Sequence, residues 1–319
     1  MMKAAVVKEK GSNPVWGQFE SPVASEGKAV VRVSAAALSR LSKFRSMGMH
    51  YSSGSRFPIV AGADGVGTLE DGTRVYFAFP VEPFGSLAEQ TLVDKRMMIR
   101  LPNGIDDATA AAVANPGMSS WAALVYRARF AAGQTVWING ATGASGSLAV
   151  QIARHLGAKK IVAIGRNESK LQALGADEVA VFDPAAGHDA KSFEEALMPL
   201  AAEGVDVVLD YVWGDSALAI LSAVAHANAV QTTRYVSIGT ASGQESVAIP
   251  SALLRASTLE LLGSGGRSVS PADMLSSAQS VFELASSGQL ALAVRKFAFE
   301  NIEEAWQAPL TPRPVVMIK

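Results

Sequence analysis

The sequence predicts an α/β protein that combines a doubly wound parallel sheet with a separate β-rich domain. A strand, a glycine turn and a helix follow one another over 136–156, and a second strand follows at 160–165. A strand, a helix and a second strand within about 30 residues form the βαβ unit of a parallel sheet. Strands and helices continue to alternate after residue 165, whereas short strands dominate the chain before residue 108.

Five short strands are predicted in the first part of the chain, each bounded by turn-forming residues. They cover residues 4–7, 29–34, 65–69, 74–78 and 88–93. The pair Asp71 and Gly72 between two of them is typical of a hairpin turn. From Ala108 the pattern changes to an alanine-rich helix, which is expected to break at 115–117 and then to resume.

The rest of the chain continues the α/β alternation. Strands are predicted at 178–182, 205–212, 235–239 and 259–263, with helices at 169–174, 192–202 and 216–227 between them. The tail has helices at 271–287 and 302–307 and strands at 293–297 and 315–318. These mixed elements are expected to return to the first domain. The predicted domains are therefore residues 1–118 completed by 265–319, and residues 119–264.

The glycine turn is the most informative motif. Glycine has no Cβ, so its backbone amides can approach an anion closely, and the helix that follows directs its positive end toward that anion. With a strand on either side, the motif predicts that the pyrophosphate of a dinucleotide binds here. The residues of this predicted site are Gly140, Ala141, Thr142, Gly143, Ala144, Ser145 and Gly146.

Composition limits the other possibilities. The net charge of −1 gives no basic surface for nucleic acid. No apolar run reaches the ~18 residues of a membrane span, and the first residues lack the apolar core of a signal peptide, so a cytoplasmic location is expected. The chain has no cysteine, which excludes disulfides and thiolate metal sites.

The ordered series of motifs resembles the medium-chain dehydrogenase/reductase superfamily, and within it the zinc-independent quinone oxidoreductases. The resemblance rests on 57–67, 72–75, 85–89, the glycine turn, 174–177, 210–214 and 237–243. It implies a GroES-like fold for the β-rich domain, a Rossmann fold for the other, and hydride transfer to a quinone or an α,β-unsaturated carbonyl (enone). A short-chain reductase is excluded because no tyrosine is followed by a lysine four residues later.

The resemblance also indicates which residues of this chain stand where related alcohol dehydrogenases have the ligands of their catalytic zinc. They are Ser39, Ala63 and approximately Asn115, none of which is a suitable zinc ligand. We therefore expect no metal. Two other classes stay open: a non-catalytic NADPH-binding protein of the same fold and a zinc alcohol dehydrogenase.

NADPH is the expected cofactor because the strand that ends at Gly165 is followed by Arg166 rather than by an acid. A guanidinium and a nearby lysine suit a 2′-phosphate, whereas an NAD site places an acid there. Further cofactor contacts are expected after the fifth strand and near the helix break. The additional predicted cofactor residues are Gly165, Arg166, Asn167, Lys170, Ser237, Ile238, Gly239, Thr240, Asn115 and Ser119.

The candidate catalytic residues are three hydroxyl groups. Ser39 and Ser42 replace the Asn and Asp of an Asn-Pro-x-Asp segment that relatives carry, and their hydroxyls are able to donate to a carbonyl oxygen. Tyr51 follows closely and is a candidate proton donor. A homodimer is also expected, because the apolar strand 259–263 lies at a sheet edge and exposes unpaired amides.

Overall fold

The structure is a computed structural model that describes residues 1–50, 53–227 and 231–318. It divides the chain into two compact units, Met1–Asn115 with Ala278–Lys319, and Pro116–Ser277. The sequence placed the two boundaries near 118 and 265. Both observed boundaries fall inside helices, where no change in composition marks them.

The first part of the chain consists mainly of short strands. These are β1 (Met2–Val7), β2 (Val15–Phe19), β3 (Lys28–Ala37), β4 (Ile59–Val60), β5 (Asp64–Thr68), β6 (Arg74–Ala78), β7 (Gln90–Asp94) and β8 (Met98–Arg100). Helix α1 (Arg40–Ser46) lies between β3 and β4, and α2 (Asp107–Ala122) follows β8. The five predicted strands are present. Strands β2, β4 and β8 were not predicted; β4 and β8, with two and three residues, are too short to show an alternation of apolar and polar residues.

The second part of the chain follows the predicted alternation. Its elements are β9 (Thr135–Asn139), α3 (Ala144–His155), β10 (Lys160–Gly165), α4 (Glu168–Gln172), β11 (Glu178–Val181), α5 (Ala190–Ala202), β12 (Val207–Asp210), α6 (Asp215–His226), β13 (Thr233–Ser237), α7 (Ser251–Arg255), β14 (Leu259–Gly263), α8 (Pro271–Ser286), β15 (Val294–Ala298), α9 (Ile302–Gln307) and β16 (Arg313–Met317). Only α7 was not predicted, and β12 ends two residues earlier than expected because the chain turns at Tyr211.

The second unit contains a six-stranded sheet in the order β11-β10-β9-β12-β13-β14, and every neighbouring pair is parallel. This doubly wound arrangement confirms the fold class predicted from the sequence. The strand order reverses between β9 and β12, where Asn139 pairs with Asp210 at the carboxyl ends. Ligands of open α/β sheets bind beside such a reversal. The core packs large apolar side chains such as Trp137 and Ile220 against the sheet.

The first unit contains two sheets. Strands β2, β1 and β4 form one, and the other has the order β15-β16-β3-β5-β6-β8, with β7 also paired to β3. Strand β16 pairs antiparallel with β3, so the end of the chain returns to this sheet. Asp71 and Gly72 lie in the predicted turn, between the antiparallel strands β5 and β6.

The predicted break in helix α2 is wrong. The helix is continuous from Asp107 to Ala122 with Pro116 inside it, and it passes into a π-helical turn over Ala123–Arg127. Proline removes one amide donor and normally kinks a helix. Here the preceding turn from Ala110 to Ala114 is fully buried, and this packing outweighs the local preference of the proline.

A buried carboxyl group lies in the first unit at the start of β5. Asp64 is 4% exposed and accepts a hydrogen bond from the Tyr76 hydroxyl at 3.1 Å. The Tyr76 ring packs edge-on against Phe282. Burial raises the pKa of Asp64 to about 6, although the Arg313 charge and the Tyr76 hydrogen bond act in the opposite direction.

This pKa predicts that Asp64→Asn becomes more stabilising, relative to the wild type, as pH rises. In the unfolded chain Asp64 ionises near 3.8, and in the folded protein near 6, so the native state holds the extra proton between these values. The penalty for the buried charge therefore develops as pH rises through this window. It amounts to at most about 3 kcal/mol.

Urea unfolding of both proteins at pH 4.5 and pH 7.5 measures the effect. The stability of Asp64→Asn minus that of the wild type should increase with pH. A difference that is constant or decreases would contradict the assignment.

Candidate functional site

The glycine turn between β9 and α3 depends on two glycines for its own packing. Gly140 has φ +88°, and a Cβ there would lie 2.9 Å from Cγ2 of Val212. A Cβ on Gly146 would lie 2.2 Å from the Gly140 carbonyl oxygen. Gly143 is different: it is exposed, has φ −77°, and its nearest neighbour would be 3.4 Å away.

Helix α3 begins without a side-chain cap. Gly143 is its N-cap residue and has no side chain to offer, and the first helical hydrogen bond runs from the Ser147 amide to the Gly143 carbonyl at 2.8 Å. The amides of Ala144, Ser145 and Gly146 precede that bond, so they are the unpaired donors of the first turn. The helix dipole adds positive potential at the same point. This arrangement suits a phosphate group.

The end of β10 carries the predicted phosphate-recognition residues. Gly165 is the last residue of the strand, and Arg166 and Lys170 are exposed just after it. The Asn167 side chain caps α4 by accepting a hydrogen bond from the Lys170 amide at 3.0 Å. Among the described residues, no carboxylate forms an ion pair with Arg166. Its guanidinium is therefore available to a ligand.

Asp210, at the end of β12, lies at the centre of a buried hydrogen-bond network. Its carboxylate accepts from the Asn139 amide at 2.8 Å and from the Tyr235 hydroxyl at 2.7 Å. It also accepts from the backbone amides of Val212 and Trp213. Burial raises the pKa of Asp210, and these four donors oppose that rise. All four partners are donors, and they lie on β9, on β13 and directly after β12. The network therefore holds the ends of these three strands around one carboxylate.

The same residue also holds the loop after β13. The carbonyl of Asp210 accepts hydrogen bonds from the amides of Ile238 at 2.8 Å and Gly239 at 3.2 Å. A Cβ on Gly239 would lie 2.9 Å from the Tyr211 carbonyl oxygen, so the backbones pack tightly here. Ser237, Ile238 and Gly239 are thus held against Asp210 and Tyr211 at the carboxyl end of β12, and Thr240 is exposed just beyond them.

The sequence did not predict a role for two hydroxyl groups near the glycine turn, those of Ser120 and Tyr211. The Ser120 hydroxyl lies 2.7 Å from the Tyr211 hydroxyl and within 2.9 Å of the carbonyl oxygens of Pro116 and Ser145. It therefore links this part of α2 to the first turn of α3. The predicted residues Asn115 and Ser119 are half-buried on α2. In the sequence, the only indication of this link was a tyrosine at position 211, directly after an apolar strand.

The predicted catalytic serines lie at the start of α1 in the first unit. Ser39 is the N-cap residue: its hydroxyl accepts from the Ser42 amide at 2.9 Å, and the Ser42 hydroxyl accepts from the Ser39 amide at 2.7 Å. The two buried hydroxyls are 3.2 Å apart. Ser39 and Ser42 together form a capping box, in which each hydroxyl accepts a hydrogen bond from the backbone amide of the other residue. Tyr51, the third candidate, lies outside the described residues.

The resemblance predicted that Ser39, Ala63 and approximately Asn115 stand at the zinc-ligand positions of related enzymes. Ala63 is buried at 1% exposure, and its carbonyl accepts from the Phe79 amide at 2.7 Å. Across the described part of the chain, no cluster of three or more histidine, cysteine or acidic side chains is able to hold a metal ion. A separate finding is that each described helix is too short or too polar to cross a membrane.

Comparisons with known proteins identify the family. A model of the zinc-binding dehydrogenase family matches residues 144–283. The chain is 30% identical over 241 residues to an Emericella nidulans protein named Probable NADPH-dependent quinone reductase tdiC, covering 66% of each protein. It is 32% identical over 199 residues to the chloroplastic NADPH-dependent alkenal/one oxidoreductase of Arabidopsis thaliana, covering 55% of this chain and 51% of that protein. The matches thus span about half to two thirds of these relatives' own lengths.

A solved structure matches the whole chain. The quinone oxidoreductase of Thermus thermophilus, whose structures include a complex with NADPH, is 28% identical with a TM-score of 0.78. The match covers 99% of this chain and 100% of that one. The chain belongs to the quinone oxidoreductase-like family of the medium-chain dehydrogenase/reductase superfamily, as the resemblance predicted.

The glycine turn generates a paired stability prediction. Gly146→Ala should destabilise the protein strongly, because its Cβ would overlap the Gly140 carbonyl oxygen at 2.2 Å, whereas Gly143→Ala meets nothing closer than 3.4 Å. Overpacking of this kind costs about 1–3 kcal/mol or more. Thermal unfolding of the two variants beside the wild type measures the difference. Equal melting temperatures for both variants would show that the turn relaxes around a side chain.

Proposed function

We propose that this protein is a zinc-independent NADPH-dependent oxidoreductase that reduces a quinone or an α,β-unsaturated carbonyl. The observation that carries the proposal is the uncapped start of α3 beside an exposed glycine, Gly143, in a loop whose flanking glycines are packed. The relatives named as NADPH-dependent quinone and alkenal/one reductases and the NADPH complex of the Thermus thermophilus protein support the same class.

The residues present fit the cofactor. The amides of Ala144, Ser145 and Gly146 are free to bind the pyrophosphate, and a side chain at Gly143 would occupy the space it needs. Arg166 and Lys170 offer positive charge to the 2′-phosphate. The loop 237–240 offers backbone groups to the nicotinamide half. When bound, NADPH supplies the hydride.

The protein's own part in the reaction is to orient the two reactants and to stabilise the oxygen that becomes negative. A quinone or an enone is already electrophilic, so a Lewis acid is not required in the way that alcohol oxidation requires one. This chemistry agrees with serine at position 39 and alanine at position 63, where the zinc enzymes have metal ligands. We therefore assign the acceptor site to hydrogen-bond donors rather than to a metal.

The acceptor class is tested by NADPH consumption at 340 nm with quinones and with short-chain enones, each with and without a metal chelator. Turnover that the chelator does not change is expected. Loss of activity with the chelator would support a zinc alcohol dehydrogenase. Tight NADPH binding without turnover on any acceptor would support the non-catalytic alternative, which the engagement of Ser39 and Ser42 in a helix cap favours.

Arg166→Ala should remove most of the preference for NADPH over NADH. A hydrogen bond to a charged group contributes about 1.5–3 kcal/mol, which corresponds to a preference of about 10- to 140-fold. Lys159→Ala is the matched control, because it removes a positive charge just before the opposite end of β10. Titration of nucleotide fluorescence with each cofactor gives the affinities. Equal affinities for NADPH and NADH in the wild type would contradict the assignment.

Ser39→Ala should lower turnover while leaving NADPH affinity nearly unchanged, because the proposed partner of its hydroxyl is the acceptor. It should also cost about 1 kcal/mol of stability through loss of the helix cap. Ser39→Thr retains both the hydroxyl and the cap and should restore both properties. Steady-state kinetics with thermal unfolding distinguishes the two effects. Turnover at the parent rate in Ser39→Ala on every accepted substrate would remove this residue from the catalytic role.

A homodimer formed through β14 is the assembly we propose. Within the described part of the chain this strand is at one end of the six-stranded sheet, and Leu261 on it is 39% exposed. Leu261→Lys should yield monomers, since a lysine on an edge strand discourages further pairing. Leu254→Lys, at a 41% exposed position on α7, is the control. Light scattering at micromolar concentration that finds a wild-type monomer would refute the proposal.

A further inference from the structure

Arg45, on helix α1 of the first unit, is a partly buried arginine whose charge has no direct partner. Its Nε atom is buried and has no hydrogen-bond acceptor. Within the described ranges, no carboxylate lies close enough to form an ion pair with its guanidinium. Burial lowers the pKa of Arg45, and Glu82 opposes this from a longer distance.

A buried Nε atom without a hydrogen-bond acceptor is costly. Buried polar groups in native proteins almost always have a hydrogen-bond partner, and one that lacks it loses its hydration without compensation. The contact that Arg45 does make is with the Phe79 ring, whose centroid lies 5.3 Å from the guanidinium carbon. A cation–π contact at a partly exposed site offsets only a small part of that cost.

Phe79 itself has a strained backbone. Its φ is +50°, in the left-handed region that bulky residues rarely adopt. Its amide donates to the carbonyl of Ala63, the residue at the former histidine-ligand position. A buried donor without a partner and a strained residue thus occur together near Ala63, which the resemblance places at a zinc-ligand position of related enzymes. Such costs persist mainly where function requires them.

A small cavity adjoins Arg45. Its volume is about 20 Å³, which is room for one water-sized group. Ser46 and Gly62 also line it, but their polar groups are used: the Ser46 hydroxyl donates to the Ser42 carbonyl and accepts from the Gly62 amide. The exposed Arg56 and Glu82 also line it, so the cavity carries a second positive charge and one negative charge. Among the described residues that line this cavity, the buried Nε of Arg45 is a donor without a hydrogen-bond partner.

We infer that Arg45 binds an oxygen atom of the acceptor, the carbonyl or carboxylate oxygen that fits this cavity and accepts a hydrogen bond from the guanidinium. The inference rests on the proposed function, since it names the residue that recognises the acceptor. It adds a second hydrogen-bond donor for the acceptor to the Ser39 hydroxyl, which the proposed function already assigns to it. The ligand supplies the partner that the free protein lacks.

This role has a consequence that a structural arginine does not share. If the Nε of Arg45 is kept unpaired for a ligand, replacement of Arg45 by methionine removes this buried unsatisfied donor and stabilises the free protein, while it weakens acceptor binding. A structural arginine would show loss of both. Methionine keeps the contact with the Phe79 ring, because its thioether packs well against aromatic side chains.

The experiment compares the wild type with Arg45→Met, Arg45→Lys and the control Arg100→Met, which removes an exposed arginine from the same unit. For Arg45→Met we expect kcat/KM for 1,4-benzoquinone to fall about 10- to 100-fold, with the KM for NADPH unchanged. Its Tm should rise by about 2–4 °C. Arg45→Lys keeps the charge but loses the planar donors, so it should lose acceptor affinity without the gain in Tm. Arg100→Met should match the wild type in each respect.

Sodium formate provides a readout that needs no turnover. Formate should raise the Tm of the wild type by an amount that grows with the logarithm of 1 + [formate]/Kd, and it should have no effect on Arg45→Met. A wild type that binds NADPH but reduces no acceptor would overturn the proposed function, and the formate comparison would then decide the role of Arg45. A lower Tm in Arg45→Met, an unchanged kcat/KM for benzoquinone, or equal stabilisation of both proteins by formate would overturn the inference.

Discussion

The buried carboxylate of Asp210 is the constraint on which the arrangement of the second unit depends. Its side chain joins the ends of three parallel strands, and its carbonyl holds the loop that begins after β13. A charge in this position is tolerated because four donors converge on it. The carboxyl ends of these strands also set the chain direction at Gly140. The amides at the start of α3 therefore lie where the strand order reverses. The cofactor site that we propose therefore depends on the carboxyl ends of β9, β12 and β13 as well as on the glycine turn.

The two units treat buried charge differently. Asp210 in the second unit is fully satisfied within the protein, which is what a pre-organised cofactor site requires. In the first unit the Nε of Arg45 has no partner, and Asp64 has a pKa raised to about 6 by burial. These two buried groups lower the stability of the unit that we assign to the acceptor. This pattern is the usual exchange of stability for function at a binding site.

The sequence predicted most of the second unit, because glycines, strand composition and helix periodicity are local signals that agree there. The prediction failed where packing between residues far apart in the sequence determines the structure. Burial of the alanines in α2 keeps the helix continuous through Pro116, which no local rule indicates. The capping roles of Ser39 and Ser42 depended on where α1 begins, and that helix is too short to show a periodicity. The unpaired state of Arg45 has no sequence signature, because it is defined by the absence of a partner in three dimensions.

The central claim is that the free amides at the start of α3 bind the dinucleotide. Hydrogen–deuterium exchange with and without saturating NADPH tests it most directly. Exchange should slow in peptides covering 140–147, and it should not change at the start of α5, where the Asp189 side chain already caps the helix. Unchanged exchange over 140–147 with NADPH bound, or protection confined to other segments, would contradict the account.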